Sequence, residues 1–187
     1  MTVQLNRESA IEDPDRGLVR QATQGSIQAF QQLFERHHRR VYGLVWRLAG
    51  NSEMAQDLTQ EVFIKLWGNL ASFRGESKFS TWLHTVATRV ALTELRKNKR
   101  WQQVRLTGEA GYADTLEYQE SADLSELDQL IRRLPAQTRW AFVLHCIEGL
   151  RHEEVAAEMG IAVGTSKAQV HRARMMLEEW LSDDDSE

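Results

Sequence analysis

Residues 152–177, HEEVAAEMGIAVGTSKAQVHRARMML, read as two helices joined by a tight turn. The first, His152 to Met159, carries the small residues Ala156 and Ala157 where a second helix must approach closely, and Gly160 and Gly164 bracket the turn. The second runs from Thr165 to about Leu181. A helical wheel sends Val170, Ala173 and Leu177 inward and clusters Thr165, Ala168, Gln169 and Arg172 on the opposite side, with Lys167, His171 and Arg174 flanking them. This is a helix-turn-helix signature, although an ordinary helical hairpin shares it. The outward set has groove chemistry. Gln can pair with adenine N6/N7 and Arg with guanine O6/N7, while Thr, Lys, His and a second Arg suit phosphates.

Working outward, the rest of the chain is also helical, because no segment alternates apolar and polar residues and no Asn-Gly or Asp-Gly hairpin turn occurs. Arg16 to Thr23 is a short helix broken by Gly25, and Ser26 caps a second one reaching about Arg36. Helical spacing resumes at Val41, Leu44, Val45 and Leu48 and stops at Gly50-Asn51. A long helix follows, with Met54, Leu58, Val62, Leu66 and Leu70 on one stripe. Residues 73–79 form a loop, and Ser80 to about Lys99 is helical again. After an acidic stretch, Leu124 to Leu134 and residues 137–147 begin a second helical set. The expected fold is therefore all-α, with two small helical domains: 15–101 and 124–181, joined by a linker over 102–123, with a disordered N-terminus over 1–14 and an acidic tail over 182–187.

Composition narrows the setting. In 187 residues there are two prolines and one cysteine, so neither a disulfide framework nor a CxxC pair can form, which points to a reducing compartment, the cytoplasm by default. No apolar run approaches the length of a membrane span, and the N-terminus lacks the basic and then greasy pattern of a secretion signal. The formal net charge of -4 argues against a nucleic-acid partner only until it is mapped. Residues 107–130 contain seven acids and no Lys or Arg, and the last five residues add four acids. Everything else is basic, by seven charges.

That basic remainder includes one helix face. Arg89, Thr93, Arg96 and Arg100 recur at spacings of four, three and four, with Lys97 and Lys99 beside them. Next to Phe79, Trp82 and Trp101, candidates for exposed aromatics although core packing is the alternative for each and the favoured one for Trp82, such a face suits single-stranded DNA, which needs charge for its phosphates and platforms for its bases. Two cationic surfaces on two domains imply bipartite DNA contact.

The same residues resemble a family. Gln56-Asp57-Leu58-Thr59-Gln60-Glu61-Val62-Phe63-Ile64-Lys65-Leu66-Trp67 looks like region 2.2 of the extracytoplasmic-function (ECF, group 4) sigma factors of bacterial RNA polymerase, in the sigma-70 family. Phe73-Arg74-Gly75-Glu76-Ser77-Lys78-Phe79-Ser80-Thr81-Trp82-Leu83 resembles their regions 2.3 and 2.4. Leu134-Pro135, Glu148-Gly149-Leu150, Glu153-Glu154-Val155-Ala156, Val163-Gly164-Thr165 and His171-Arg172-Ala173-Arg174 resemble region 4.2. The resemblance implies a dissociable specificity subunit, with no catalytic residues, no metal and no cofactor. It implies that Asp57, Gln60, Glu61, Phe63 and Trp67 dock on the polymerase beta-prime coiled coil, with a further contact to the beta flap. Ser77, Lys78, Phe79 and Trp82, with Arg89, Thr93, Arg96, Lys97 and Arg100, would hold and melt the -10 element. Thr165, Lys167, Ala168, Gln169, His171, Arg172 and Arg174 would read the -35 element. An anti-sigma factor is an expected partner.

Against the family's usual pattern, Ser166 occupies a normally apolar, inward position, Ala168 and Gln169 replace Ser and Arg, and only Glu53 remains of the acidic cluster before Asp57. A conventional dimeric helix-turn-helix regulator is the rival reading, but it has no need of the region 2.2 motif. Catalysis finds no support: His37-His38 and the pair His145 and His152 come without HExxH, without spaced carboxylates and without a phosphate-binding loop. The charge layout predicts weak DNA binding by the free chain until polymerase separates its parts.

Overall fold

The computed structural model describes residues 13–106 and 125–184, the side chains of 98–106, 183 and 184 excepted. Eight α-helices follow in order among them: α1 (Arg16–Thr23), α2 (Ile27–Ala49), α3 (Ser52–Asn69), α4 (Phe79–Leu106), α5 (Glu126–Arg133), α6 (Ala136–Phe142), α7 (His152–Met159) and α8 (Val163–Asp184). A single 3₁₀ turn, Leu70–Ser72, follows α3, and a π-helical turn, Val143–Ile147, extends α6.

Local chemistry sets most helix starts. Ser26 Oγ accepts from Ala29 N at 3.2 Å, Asn51 Oδ1 from Met54 N at 2.9 Å, and Ser125 Oγ from Asp128 N at 3.2 Å, each satisfying one of the donors a helix leaves unpaired at its first turn. Gly50 and Gly160 end α2 and α7 in the left-handed conformation, with φ of 70° and 65°. The sequence-based stop near Arg36 is overturned. Helix α2 runs unbroken through His37-His38-Arg39-Arg40 because nothing there breaks a helix and its inward residues, Leu33, Val41 and Leu44, stay on one buried side. Helix α4 likewise continues to Leu106, five residues into the expected linker, whose remainder lies outside the described residues, as do 1–12 and 185–187.

Asp13 and Pro14 fall within the segment expected to be disordered, yet Asp13 is part of the fold: its Oδ2 accepts from the Phe79 backbone N at 2.7 Å, capping α4 from a distance of 66 residues. Asp15, 4% exposed, binds Arg36 at 2.9 Å and His37 at 2.8 Å. Helices α1–α4 form the first bundle and α5–α8 the second.

The two bundles share one continuous core. Trp46, Leu48 and Leu44 of α2 belong to it together with Ile131, Leu134, Trp140 and Leu144 of the second bundle. At the junction, Arg139 of α6 reaches across to the end of α2, donating to Leu48 O (3.2 Å) and Ala49 O (3.0 Å) as well as to Arg132 O and Leu134 O at home. Trp140 Nε1 donates to Leu48 O at 2.9 Å. A cation at the carbonyl end of a helix is favourable twice over, as a hydrogen-bond donor and as a partner for the helix dipole. Burial pushes the Arg139 pKa down to about 10, which still leaves the guanidinium charged at neutral pH. Gly50 is needed beside it, since a Cβ there would lie 2.8 Å from the guanidinium carbon.

Candidate functional site

Three surfaces gather the residues singled out from the sequence. The first is α3. Asp57, Gln60 and Trp67 are exposed and lie with Ile64 toward one side of the helix. Glu61 is half-buried and pairs with Lys65 at 3.1 Å, which also binds Glu94 of α4 at 2.9 Å. Hydrogen bonds from Lys97 and Lys65 hold the Glu94 carboxyl below its ordinary pKa, so Glu94 is ionised at neutral pH. An acidic groove of about 630 Å³ runs between α3 and α4, lined by Glu53, Asp57, Glu61 and Glu94.

Phe63 is a correction on this surface. It is 5% exposed, its ring meeting that of Phe34 edge-on at 4.7 Å, so it supports the face from beneath and offers little to a partner. In its place the structure adds residues that sequence reasoning missed: Ile64 is 65% exposed amid the acids, and Ile27 (71%) and Phe34 stand on the adjoining α2. Large apolar side chains held this far into water beside charged groups have the character of a docking surface. The wheel position of Ile64, on the same side as Asp57 and Gln60, was the available signal.

The second surface is the start and outer face of α4. Phe79, expected as a base platform, is overturned: it is 0% exposed and packs among His37, Phe73 and Trp82 at ring distances of 5.5, 5.6 and 6.0 Å. The first residue of a helix capped by Asp13 has its side chain fixed inward by that cap and by the aromatic cluster. Trp82 is half-buried on the same cluster, Ser77 is half-buried, and Lys78 is exposed. Farther along, Arg89 and Thr93 are exposed and Arg96 is half-buried on one face. Lys97 sits apart, its ammonium 2.9 Å from Glu94 at the acidic groove. The side chains of Arg100 and Trp101 lie outside the described residues.

Arg89 and Arg96 are engaged. The Arg89 guanidinium grips both carboxylate oxygens of Glu158 in α7, with Nε and Nη2 at 3.0 and 2.9 Å from Oε1, and Arg96 donates to the Glu158 backbone carbonyl. His84 Nε2 lies 2.7 Å from Glu148. Burial opposes ionisation of Glu148, but the His84 hydrogen bond and the charges of His84, Arg47 and Arg40 bring its pKa below the ordinary carboxylate value.

The third surface is α8. Thr165, Lys167, Ala168, His171 and Arg172 are exposed, and neither Lys167 nor Arg172 has an ion pair among the described residues. Arg174 is exposed and donates to Cys146 Sγ at 3.6 Å. Gln169 differs from the rest: it is half-buried, and its Oε1 accepts from the buried Thr138 hydroxyl at 2.7 Å, which leaves the amide N–H groups as its outward chemistry. Ser166, polar and 0% exposed, is satisfied by His152 Nδ1 at 3.0 Å, and His152 in turn stacks on His145 with ring centroids 3.9 Å apart. Burial and the neighbouring His145 and Lys167 hold the His152 pKa below that of a free imidazole. A neutral His152 thus pins α7 to α8 through the hydroxyl that replaces the usual apolar contact.

Among the described residues no group of three or more His, Cys, Asp or Glu side chains could hold a metal ion, and no helix is long and apolar enough to cross a membrane. Comparison with known proteins gives the surfaces their context. The family described as Sigma-70 region 2 matches residues 33–101, and Sigma-70, region 4 matches 124–177. The chain is 34% identical over 173 residues to the ECF RNA polymerase sigma-E factor of Escherichia coli K12, covering 86% of this chain and 90% of that one. It is 32% identical over 178 residues to the ECF sigma factor SigW of Bacillus subtilis, covering 88% and 95%. Among solved structures, the sigma factor RpoE of Bartonella quintana, in complex with the anti-sigma factor NepR, matches with a TM-score of 0.58 and 28% identity over 83% of this chain and 98% of that one. CnrH in complex with the cytosolic domain of CnrY matches with a TM-score of 0.55 and 25% identity over 92% and 99%. The chain belongs to the ECF sigma factors of the sigma-70 family, non-enzymatic proteins that direct transcription initiation, and its two bundles are their regions 2 and 4.

Proposed function

We propose that this sigma factor joins core RNA polymerase through α3, recognises and helps melt the -10 element through α4 and the loop before it, and reads the -35 element as duplex through α8. The observation that carries this reading is the separation of chemistries: an acidic face with exposed Ile64 and Trp67 on α3, cations on α4, and an outward Lys167, His171 and Arg172 on α8. A basic, amphipathic coiled coil in the beta-prime subunit fits the first, with aromatic and aliphatic anchors set among carboxylates. Phosphates and unstacked bases fit the second, where Lys78, Arg89, Thr93 and Arg96 supply donors; with Phe79 buried, edge hydrogen bonds and Trp82 are left to hold a flipped base. Base edges in the major groove fit the third. The beta flap and an anti-sigma factor are further partners; the complexes of RpoE with NepR and of CnrH with CnrY support the latter by similarity. Its place of action is the cytoplasm, with the polymerase.

Run-off transcription with core polymerase on a genomic promoter library tests the reading. Promoter-dependent products are expected, and Arg172→Ala is expected to weaken -35 selection by about 1–3 kcal/mol per lost base contact. No product from any template would refute it.

A further inference from the structure

One side chain on the outward face of α8 is held from within. Gln169 is half-buried, and its Oε1 accepts the proton of the Thr138 hydroxyl at 2.7 Å. That length is typical of O–H···O and shorter than the usual N–H···O, so the amide oxygen, not the nitrogen, meets the hydroxyl. Thr138 lies on α6 and is 2% exposed. Its surroundings fix its place: Trp140 and Ala141 of the same helix share the core with Val170 and Ala173 of α8. The contact is therefore internal to region 4.

The oxygen and nitrogen of an amide share one carbon, so an oxygen turned toward a buried hydroxyl leaves the two N–H groups on the groove side. Thr165 and Arg172, four residues before and three after, are exposed on the same face, and the short Ala168 leaves Gln169 room to reach a base. A free glutamine reads adenine with both ends of its amide, the nitrogen donating to N7 and the oxygen accepting from N6–H₂. With its oxygen engaged by Thr138, Gln169 offers donors alone. Adenine would then set N6–H₂ against N–H, donor against donor, and cytosine would do the same with N4–H₂. Guanine presents two acceptors, O6 and N7, whereas thymine presents only O4.

Resting on the reading of α8 as the -35 helix, we propose that Thr138 is a positioning residue that makes Gln169 a guanine reader, by holding Oε1 inward and turning an adenine-pairing amide into a donor-only group. Burial protects the arrangement. Swinging Oε1 out to meet adenine would strip a buried hydroxyl of its acceptor, a loss that the new base contact would first have to offset. The adenine pairing open to a glutamine at this position is thereby replaced.

The test uses holoenzyme assembled from core RNA polymerase and the full-length chain, which selects from duplex DNA of random sequence; the bound molecules are sequenced. Gln169→Ala identifies the position that Gln169 reads, as the one whose base preference is lost. At that position the wild-type chain is expected to take guanine over adenine by roughly tenfold. Thr138→Val removes the hydroxyl and keeps the branched shape. It is expected to bring adenine level with guanine or above it there, and to leave every other position unchanged. Thr138→Ser retains the hydroxyl and is expected to match wild type. A wild-type preference for any base but guanine, no position lost in Gln169→Ala, or a Thr138→Val profile that keeps guanine or weakens all positions alike would each overturn the proposal. The first two outcomes involve no change to a buried residue, so they decide even where Thr138→Val disturbs folding. Arg172→Ala reports separately on the -35 reading. If it alters a position while Thr138→Val alters none, only the role of Thr138 is lost; if neither it nor Gln169→Ala alters any, α8 does not read the -35 element.

Discussion

Replacing Arg139 with Met removes the guanidinium and keeps most of the side-chain volume. Of the four carbonyls it serves, Leu48 O keeps Trp140 Nε1, while Ala49 O, Arg132 O and Leu134 O lose this donor. At about 1.5 kcal/mol for each hydrogen bond from a charged group, the loss is about 4.5 kcal/mol, and the α2 dipole adds up to ~1 kcal/mol. Against this stands relief from burying a cation. Its pKa of about 10, down from 12.5, corresponds to about 3.4 kcal/mol at 1.36 kcal/mol per pH unit. The net expectation is a destabilisation of about 2 kcal/mol, concentrated at the junction of the bundles. In urea, far-ultraviolet circular dichroism should show one transition for wild type, because the core is continuous, and two separated ones for Arg139→Met. A variant that melts in a single transition within about 0.5 kcal/mol of wild type would show that the Arg139 bridge does not couple the regions.

Other changes probe the remaining surfaces. Ile64→Glu should cut core-polymerase affinity at least tenfold, about 1.4 kcal/mol, in a fluorescence binding assay with the melting curve unaltered; unchanged affinity would remove Ile64 from the docking face. Thr88→Val should raise stability by about 1 kcal/mol in the same urea assay, because it deletes a buried hydroxyl that has no partner; destabilisation by a similar amount would mean that the hydroxyl is bonded. The His84 and Glu148 contact carries a pH signature. The Glu148 pKa is lowered in the folded chain, so its contribution is complete above the ordinary carboxylate value and is lost as pH falls through the lowered one. Energy transfer between the regions should therefore hold down to about pH 5 and decline below it, more steeply for wild type than for Glu148→Gln; coincident acid profiles would contradict this.

Much of the fold could be read from side chains acting on their own backbone. Ser26, Asn51 and Ser125 cap the helices they precede, and the small residues and Gly160 of the helix-turn-helix are local signals too. What escaped reading depends on partners far away in sequence. The polar run 37–40 looked like a break, but His37 is held by Asp15, 22 residues away, and the helix passes through it. Phe63 and Phe79 sit in motifs that suggest contact with a partner, and only packing against Phe34 or Phe73 reveals that they face inward. The outward tally for α8 missed that Gln169 lies at the edge of its face, within reach of Thr138. Arg89 was legible as a cation but not as the partner of Glu158, 69 residues on.

The cap that Asp13 places on α4 bears on how this gene can be cut. The region 2 match begins at residue 33, so a fragment trimmed to it would discard α1, the Asp15 link to Arg36 and His37, and the carboxylate that fixes the first turn of α4. A downstream alternative start codon, or a protease that nibbles past Asp13, would have the same effect: a polypeptide with every sigma motif intact and a loosened start to the helix proposed to meet the -10 strand. Expression boundaries for region 2 belong at or before Asp13, whose carboxylate caps α4.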